Sequence, residues 1–408
     1  MHASVPVPLN RLRIGQVLPV DIWAPDGRLL LRRGQNLTSE AHRDMLAAHQ
    51  ARMTEIDAHA WQRSLERAKR MLHARGVGLD EIAHLTMPET ILDIDYLETQ
   101  DVHGDWLDVQ EILRNLLYQG SAASHPLQRL QGIESKVYSL LHHDPDDSLF
   151  VLIQALSDLR LGYCATHALL SAVIATLTAE RLSADYDQHL TLLRAALTMN
   201  IGMARPQDHL ARQSGPPDTQ QRTIIANHPP VSKDILARFG VDDDAVLTLI
   251  ERHHAPTSAT SELSPALRTG LQVIHFADML VAKMAPRASR AALVPLGATK
   301  SLLLGCPPEH ASLVQALVSV LGFYPPGSYV QLINGEIGVV IRRGSRATTP
   351  HVAVLFNPQG VALSSYGYRD TGHPNMPQCA VRRPVPQSEV KVQINLEKIR
   401  RLRAHLAG

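Results

Sequence analysis

Leu190 to Met203 reads Leu-Thr-Leu-Leu-Arg-Ala-Ala-Leu-Thr-Met-Asn-Ile-Gly-Met. Leu190, Leu193, Ala196 and Leu197 fall on one face at helical spacing, so this stretch predicts a buried bundle helix. The helix delivers the pair Met199-Asn200 at its end, and the bend that Gly202 allows follows. Working outward, His167 lies on a second helix whose stripe is Leu170, Val173, Ile174 and Leu177. His228-Pro229, His253-His254 and Asp278, within Phe276-Ala277-Asp278, follow on later helical segments. Each histidine alone reads as a half-buried polar side chain, and a basic residue at a helix C-terminus is favoured by the macrodipole. They are imidazoles and a carboxylate, the donor types of a transition-metal site.

The order and spacing of these residues resemble the HD-GYP subgroup of the HD-superfamily metal phosphohydrolases. Characterised members of that family linearise or degrade cyclic di-GMP. Its pattern runs His, His-Asp, His, His-His, Asp. The matching positions here are His167, Met199-Asn200, His228, His253-His254 and Asp278, and the interval from Asn200 to His228 carries no gap. The resemblance implies metal ligands at His167, His228, His253, His254 and Asp278. It also implies an Asp bridging two metals where this chain has Asn200, a His at Met199, and a phosphate-supporting Lys at Met203.

Those three departures decide the expected chemistry. A bridging ligand between two dications must be anionic, and the Asn200 amide is neutral. The Met199 thioether prefers soft ions to iron, manganese or zinc. After His254 the family continues into an Asp-Gly-x-Gly-Tyr-Pro loop, whereas this chain runs Ala255-Pro256-Thr257-Ser258-Ala259-Thr260-Ser261-Glu262. The expectation is no catalytic residue set and at most one weakly held divalent ion (Fe, Mn or Zn) on the remaining histidines. The functional expectation is a silent scaffold or regulator in cyclic di-GMP signalling, with cyclic di-GMP or signalling proteins as partners. The alternatives are an active metal-dependent phosphodiesterase and a single-metal or nucleotide-binding sensor.

The flanks complete a mainly α expectation, an HD-type bundle with an N-terminal α/β module and a C-terminal β appendage. The module spans 1–50. Val17, Val20 and Ile22 begin a strand, Pro25-Asp26-Gly27 turns it, and Leu29 to Leu31 return. Thr38 or Ser39 caps a helix through Met45, Leu46 and His49. A helical connecting region covers 51–145, with Trp61, Leu65, Ala68 and Met71-Leu72 on one stripe and Arg63, Arg67, Lys69 and Arg70 on its solvated face. Met87-Pro88 and Gly120-Ser121 break it. The bundle covers 146–322 and opens on a helix capped by Asp147 or Ser148. The appendage and tail cover 323–408. There Val330 and Leu332 lead through Asn334-Gly335, a strong hairpin signal, to Ile337–Ile341 and then to Val352–Phe356. Lys398 to Leu402 form a short basic helix.

Composition limits the alternatives. A formal net charge of +1 gives no drive toward a nucleic-acid polymer or an anionic membrane. Three scattered cysteines (Cys164, Cys306, Cys379) suit neither a disulfide framework nor a zinc knuckle, and the expected compartment is the cytoplasm. No apolar run has the length of a membrane span. No Gly-rich phosphate loop, His-Glu-x-x-His or Gly-x-Ser-x-Gly is present.

Overall fold

The computed structural model describes residues 4–74, 77–78, 85–92, 102, 104–255 and 262–404, in two compact units, 1–101 and 102–408. The reading of the loop after His254 therefore lies almost wholly outside the described residues, which stop at Ala255 and resume at Glu262.

The first unit is a small α/β module. Strands β1 (Ser4–Pro6), β2 (Ile22–Trp23) and β3 (Leu29–Leu31) are followed by helix α1 (Glu40–Ala48), β4 (Arg52–Thr54) and α2 (Glu55–Ala74). The antiparallel sheet has the order β1-β4-β2-β3. The expected hairpin is present, but its first strand begins later than Val17, which makes only an isolated bridge to Asn36. Gly27 holds φ +86° in the turn, and Asp26 Oδ1 accepts from Arg28 N at 3.0 Å. Ser39 rather than Thr38 caps α1, accepting from His42 N. Trp61 and Leu65 of α2 are fully buried, and Trp61 Nε1 donates to Pro88 O at 2.7 Å. That bond pins 85–92 against the helix and accounts for the break at Met87-Pro88.

The second unit is mainly helical and ends in a β appendage. Its helices are α3 (Trp106–Gln119), α4 (Pro126–His143), α5 (Pro145–Leu156), α6 (Tyr163–Arg181), α7 (Tyr186–Thr198), α8 (Ala204–Arg212), α9 (Thr219–Phe239), α10 (Asp244–Arg252), α11 (Pro265–Met284), α12 (Pro295–Gly305) and α13 (Ala311–Leu321). Helices of 102–145 share one hydrophobic core with those of 146–322. α5 begins three residues earlier than a cap at Asp147 would place it, because Asp144 caps it by accepting from Asp147 N, with Pro145 at the first helical position. α6 is the axis of the bundle: every residue from Tyr163 to Ala179 is buried. A helix so enclosed cannot be two-faced, so its polar members must find partners inside.

Strands β5 (Tyr329–Leu332), β6 (Ile337–Arg342), β7 (His351–Phe356), β8 (Ala362–Asp370) and β9 (Val381–Val385) form an antiparallel sheet of order β8-β7-β6-β5-β9. Asn334-Gly335 makes the expected β5–β6 turn, Gly335 at φ +92°. Several contacts hold this sheet to the bundle, among them Arg343 on Asp146 at the end of β6. Gln154 of α5 donates to Gly327 O at 2.5 Å and accepts from Tyr329 Oη at 3.0 Å. The basic helix α14 (Leu396–Ala404) returns to the start of α5, with Arg400 and Arg403 both on Asp147. Among the described residues no helix is long and apolar enough to cross a membrane.

Candidate metal centre

His228 is oriented by the proline that follows it. Pro229 has no N–H to give the Ile225 carbonyl four residues back, so that acceptor is left open inside α9. His228 Nδ1 fills it, donating to Ile225 O at 2.6 Å. His253 follows α10 as its C-cap and does the same for a helix end, where the last carbonyls lack partners. Its Nδ1 donates to Ile250 O at 2.7 Å. Both Nδ1 atoms carry the proton, because a carbonyl can only accept.

The consequence lies on the other side of each ring. His228 Nε2 and His253 Nε2 face each other at 3.1 Å. Burial pushes the His228 pKa down to about 4 and that of His253 down to about 3, the latter helped by the neighbouring His254. Near neutral pH both rings are uncharged, so neither Nε2 carries a proton and two lone pairs point at one another. Such a contact is repulsive unless a cation lies between them. Two imidazole nitrogens, each about 2.0–2.1 Å from a shared ion, stand roughly 3 Å apart, so the spacing fits common ligation. His254 completes the group: the three histidines each offer a ligand nitrogen within 4.8 Å of the others. Burial also lowers the His254 pKa.

Asp278 of α11 is coupled electrostatically to all three rings. Burial opposes its charge, but the hydrogen bond from His167, with further help from His253 and His254, holds the carboxyl well below the usual range. His167 Nε2 meets Asp278 Oδ1 at 2.7 Å, while His167 Nδ1 meets Tyr163 Oη at 3.0 Å. His167 therefore has both nitrogens engaged, and it orients the carboxylate beside the trio.

Asn200 and Met199 are both buried, and among the described residues neither Asn200 amide atom has a hydrogen-bond partner. An orphaned buried amide is costly, about 1–3 kcal/mol, and is the kind of group a bound ligand would satisfy. The short turn Ile201–Met203 packs on α9, where Gly202 N donates to Ser232 Oγ at 3.0 Å. This seats the residue after Met199-Asn200-Ile201 beside the His228 turn. His275 Nδ1 donates to His253 O at 2.7 Å and fixes the cap from α11.

Sequence reasoning passed over Tyr163, Arg287 and Arg290. A cleft of about 540 Å³ lies between the bundle and the appendage, lined by Ile153, Met284, Arg287, Arg290, Tyr329 and Gln387 among others. Arg287 and Arg290 are the ends of a tight turn closed by reciprocal backbone bonds of 3.0 Å. Among the described residues neither guanidinium pairs with a carboxylate. The Arg287 guanidinium carbon lies 5.8 Å from the Tyr163 ring centroid. Two basic residues three apart beyond Met284 were the available signal, but nothing local marked them as facing a cleft.

No protein-family model matches the chain, and no curated protein matches it in sequence. A solved structure described as Bd1817, a HDG"Y"P protein from Bdellovibrio bacteriovorus, is similar with a TM-score of 0.42 and 14% identity. The match covers 77% of this chain and 97% of that one.

Proposed function

We propose that this chain is a catalytically silent HD-GYP-like regulator in cyclic di-GMP signalling. It holds one divalent ion at His228, His253 and His254 and takes an anionic nucleotide in the adjoining cleft. The observation that carries the metal reading is the His228–His253 contact, two unprotonated nitrogens 3.1 Å apart in a buried site. Iron, manganese or zinc bound there would supply Lewis acidity and positive charge to a phosphate. The nucleotide class comes from the residues that resemble the HD-GYP pattern. Arg287 and Arg290 support it by their chemistry, as guanidiniums on a cleft of nucleotide size that meet no carboxylate among the described residues, Arg290 donating to Ala282 O at 2.5 Å.

Silence follows from charge. With Asn200 neutral and Met199 a thioether, two dications have no anionic bridge, and Asp278 is already held by His167. A single ion cannot both make the nucleophile of a two-metal mechanism and clamp the leaving oxygen. The deciding experiment pairs elemental analysis of purified protein with a hydrolysis assay on cyclic di-GMP. About one ion per chain and no turnover is the expected result. Two ions with metal-dependent turnover would establish the phosphodiesterase reading instead.

A further inference from the structure

A line of polar contacts runs from the cleft to the imidazole trio, and each proton along it can be placed. Asp278 Oδ1 accepts from His167, so His167 Nε2 carries the proton. In the neutral ring, His167 Nδ1 then receives the Tyr163 O–H at 3.0 Å. The Arg287 guanidinium sits over the Tyr163 ring from the cleft side, 5.8 Å from its centroid. Tyr163 is 3% exposed and His167 1% exposed, so water does not replace either contact.

We propose that Tyr163 is a positioning residue that transmits occupancy of the cleft to the His167–Asp278 pair. The inference rests on the reading that the cleft takes an anion, and its mechanism is polarisation along a hydrogen-bond chain. While Arg287 faces Tyr163, its charge draws density from the phenol oxygen and strengthens the O–H donated to His167. This in turn strengthens the His167 N–H donated to Asp278. An oxyanion that engages Arg287 and Arg290 neutralises that charge. The phenol becomes a weaker donor, His167 grips Asp278 less, and the carboxylate is left more negative toward the three imidazoles. Anion and divalent ion then bind with positive coupling, and by linkage each raises the other's affinity.

The test uses the full chain with sulfate as the anion and no added metal, read by nitrogen NMR of the arginine and histidine side chains. Sulfate is expected to shift the Arg287 Nε signal and, with it, both ring nitrogens of His167. Tyr163→Phe keeps the ring packing and removes the O–H. In that variant the Arg287 shift should persist while the His167 shift is lost. In Arg287→Gln both should be lost. Zinc affinity, measured by chelator competition at constant ionic strength, should rise roughly fivefold with sulfate in the unaltered protein, at the low end of typical coupling. It should rise by much less in Tyr163→Phe. Equal His167 shifts in the unaltered protein and Tyr163→Phe would overturn the proposal, as would an Arg287 shift with His167 unmoved. An unmoved Arg287 signal would remove the anion-binding cleft itself, and the relay with it.

Discussion

Gly202 approaches His228 so closely that a Cβ on it would sit 2.8 Å from the His228 carbonyl oxygen and 3.0 Å from Ser232 N. Both neighbours are helix backbone, which cannot rotate away as a side-chain end could. Gly202→Ala should therefore shift the turn or α9, at a cost of about 1–3 kcal/mol, as overpacking does. The expected outcome is a thermal midpoint several degrees lower and weaker zinc binding. An alanine variant with an unchanged midpoint and unchanged affinity would show that α9 yields at this point without consequence.

Acid should destabilise the metal-free protein before carboxylates in general begin to titrate. The ordinary imidazole value is 6.5, and burial holds His228 at about 4 and His253 at about 3. As pH falls through 6.5, the unfolded chain takes up protons that the folded chain refuses. Stability is thus full above pH 6.5 and declines from there toward pH 4. The loss by pH 4.5 should be on the order of a few kcal/mol. Urea midpoints in the presence of a chelator at pH 7.5, 6.0 and 4.5 would read it. A flat profile would mean that the rings are not held neutral.

Restoring the missing ligands should change metal content without restoring hydrolysis. Met199→His with Asn200→Asp places an imidazole and an anionic bridge where the chain now has a thioether and an amide. Occupancy should rise from about one ion toward two, measured by elemental analysis. Cyclic di-GMP turnover should stay at background, because Met203 still replaces a phosphate-supporting lysine and the Gly-Tyr-Pro sequence is absent. Turnover by the double variant would show that the loop after His254 is dispensable.

The helix that delivers Asn200 is anchored by an ion pair between a half-buried Arg194 and a buried Glu134. Arg194 donates to Glu134 from Nε at 2.7 Å and from Nη2 at 2.8 Å. Burial raises the Glu134 pKa despite this partner, so the carboxylate depends on Arg194. Arg194→Met should cost about 3–5 kcal/mol by stranding a buried charge. Adding Glu134→Leu should recover much of that. Chemical denaturation of the single and double variants closes the cycle; additive losses would mean that the pair is not coupled.

The helical bundle was legible in the stripe of residues 190–197, because one-sided burial on a helix imposes a period. Residues 167–177 also form a helix, but one buried on every side, so the single face read there has no counterpart. Asn334-Gly335 likewise announced its turn. β1 and β4 were not legible: each is three residues long and is defined by pairing with the other across some fifty positions. The histidines could be listed from sequence, but what they do could not. That His167 meets Asp278 depends on a contact between residues 111 apart. The tautomer of His228, by contrast, was readable in principle, since His-Pro on a helix always frees a carbonyl beside the ring.

The seam between bundle and appendage has a kinetic consequence. Gln154 joins Gly327 across 173 residues, and Arg400 joins Asp147 across 253. Loop closure over such distances comes late, after the local helix pairs have formed. The cleft walls would thus be the last feature of the second unit to mature. A ligand that needs both walls would recognise only chains that have finished folding, and would slow their unfolding while leaving the folding rate almost untouched.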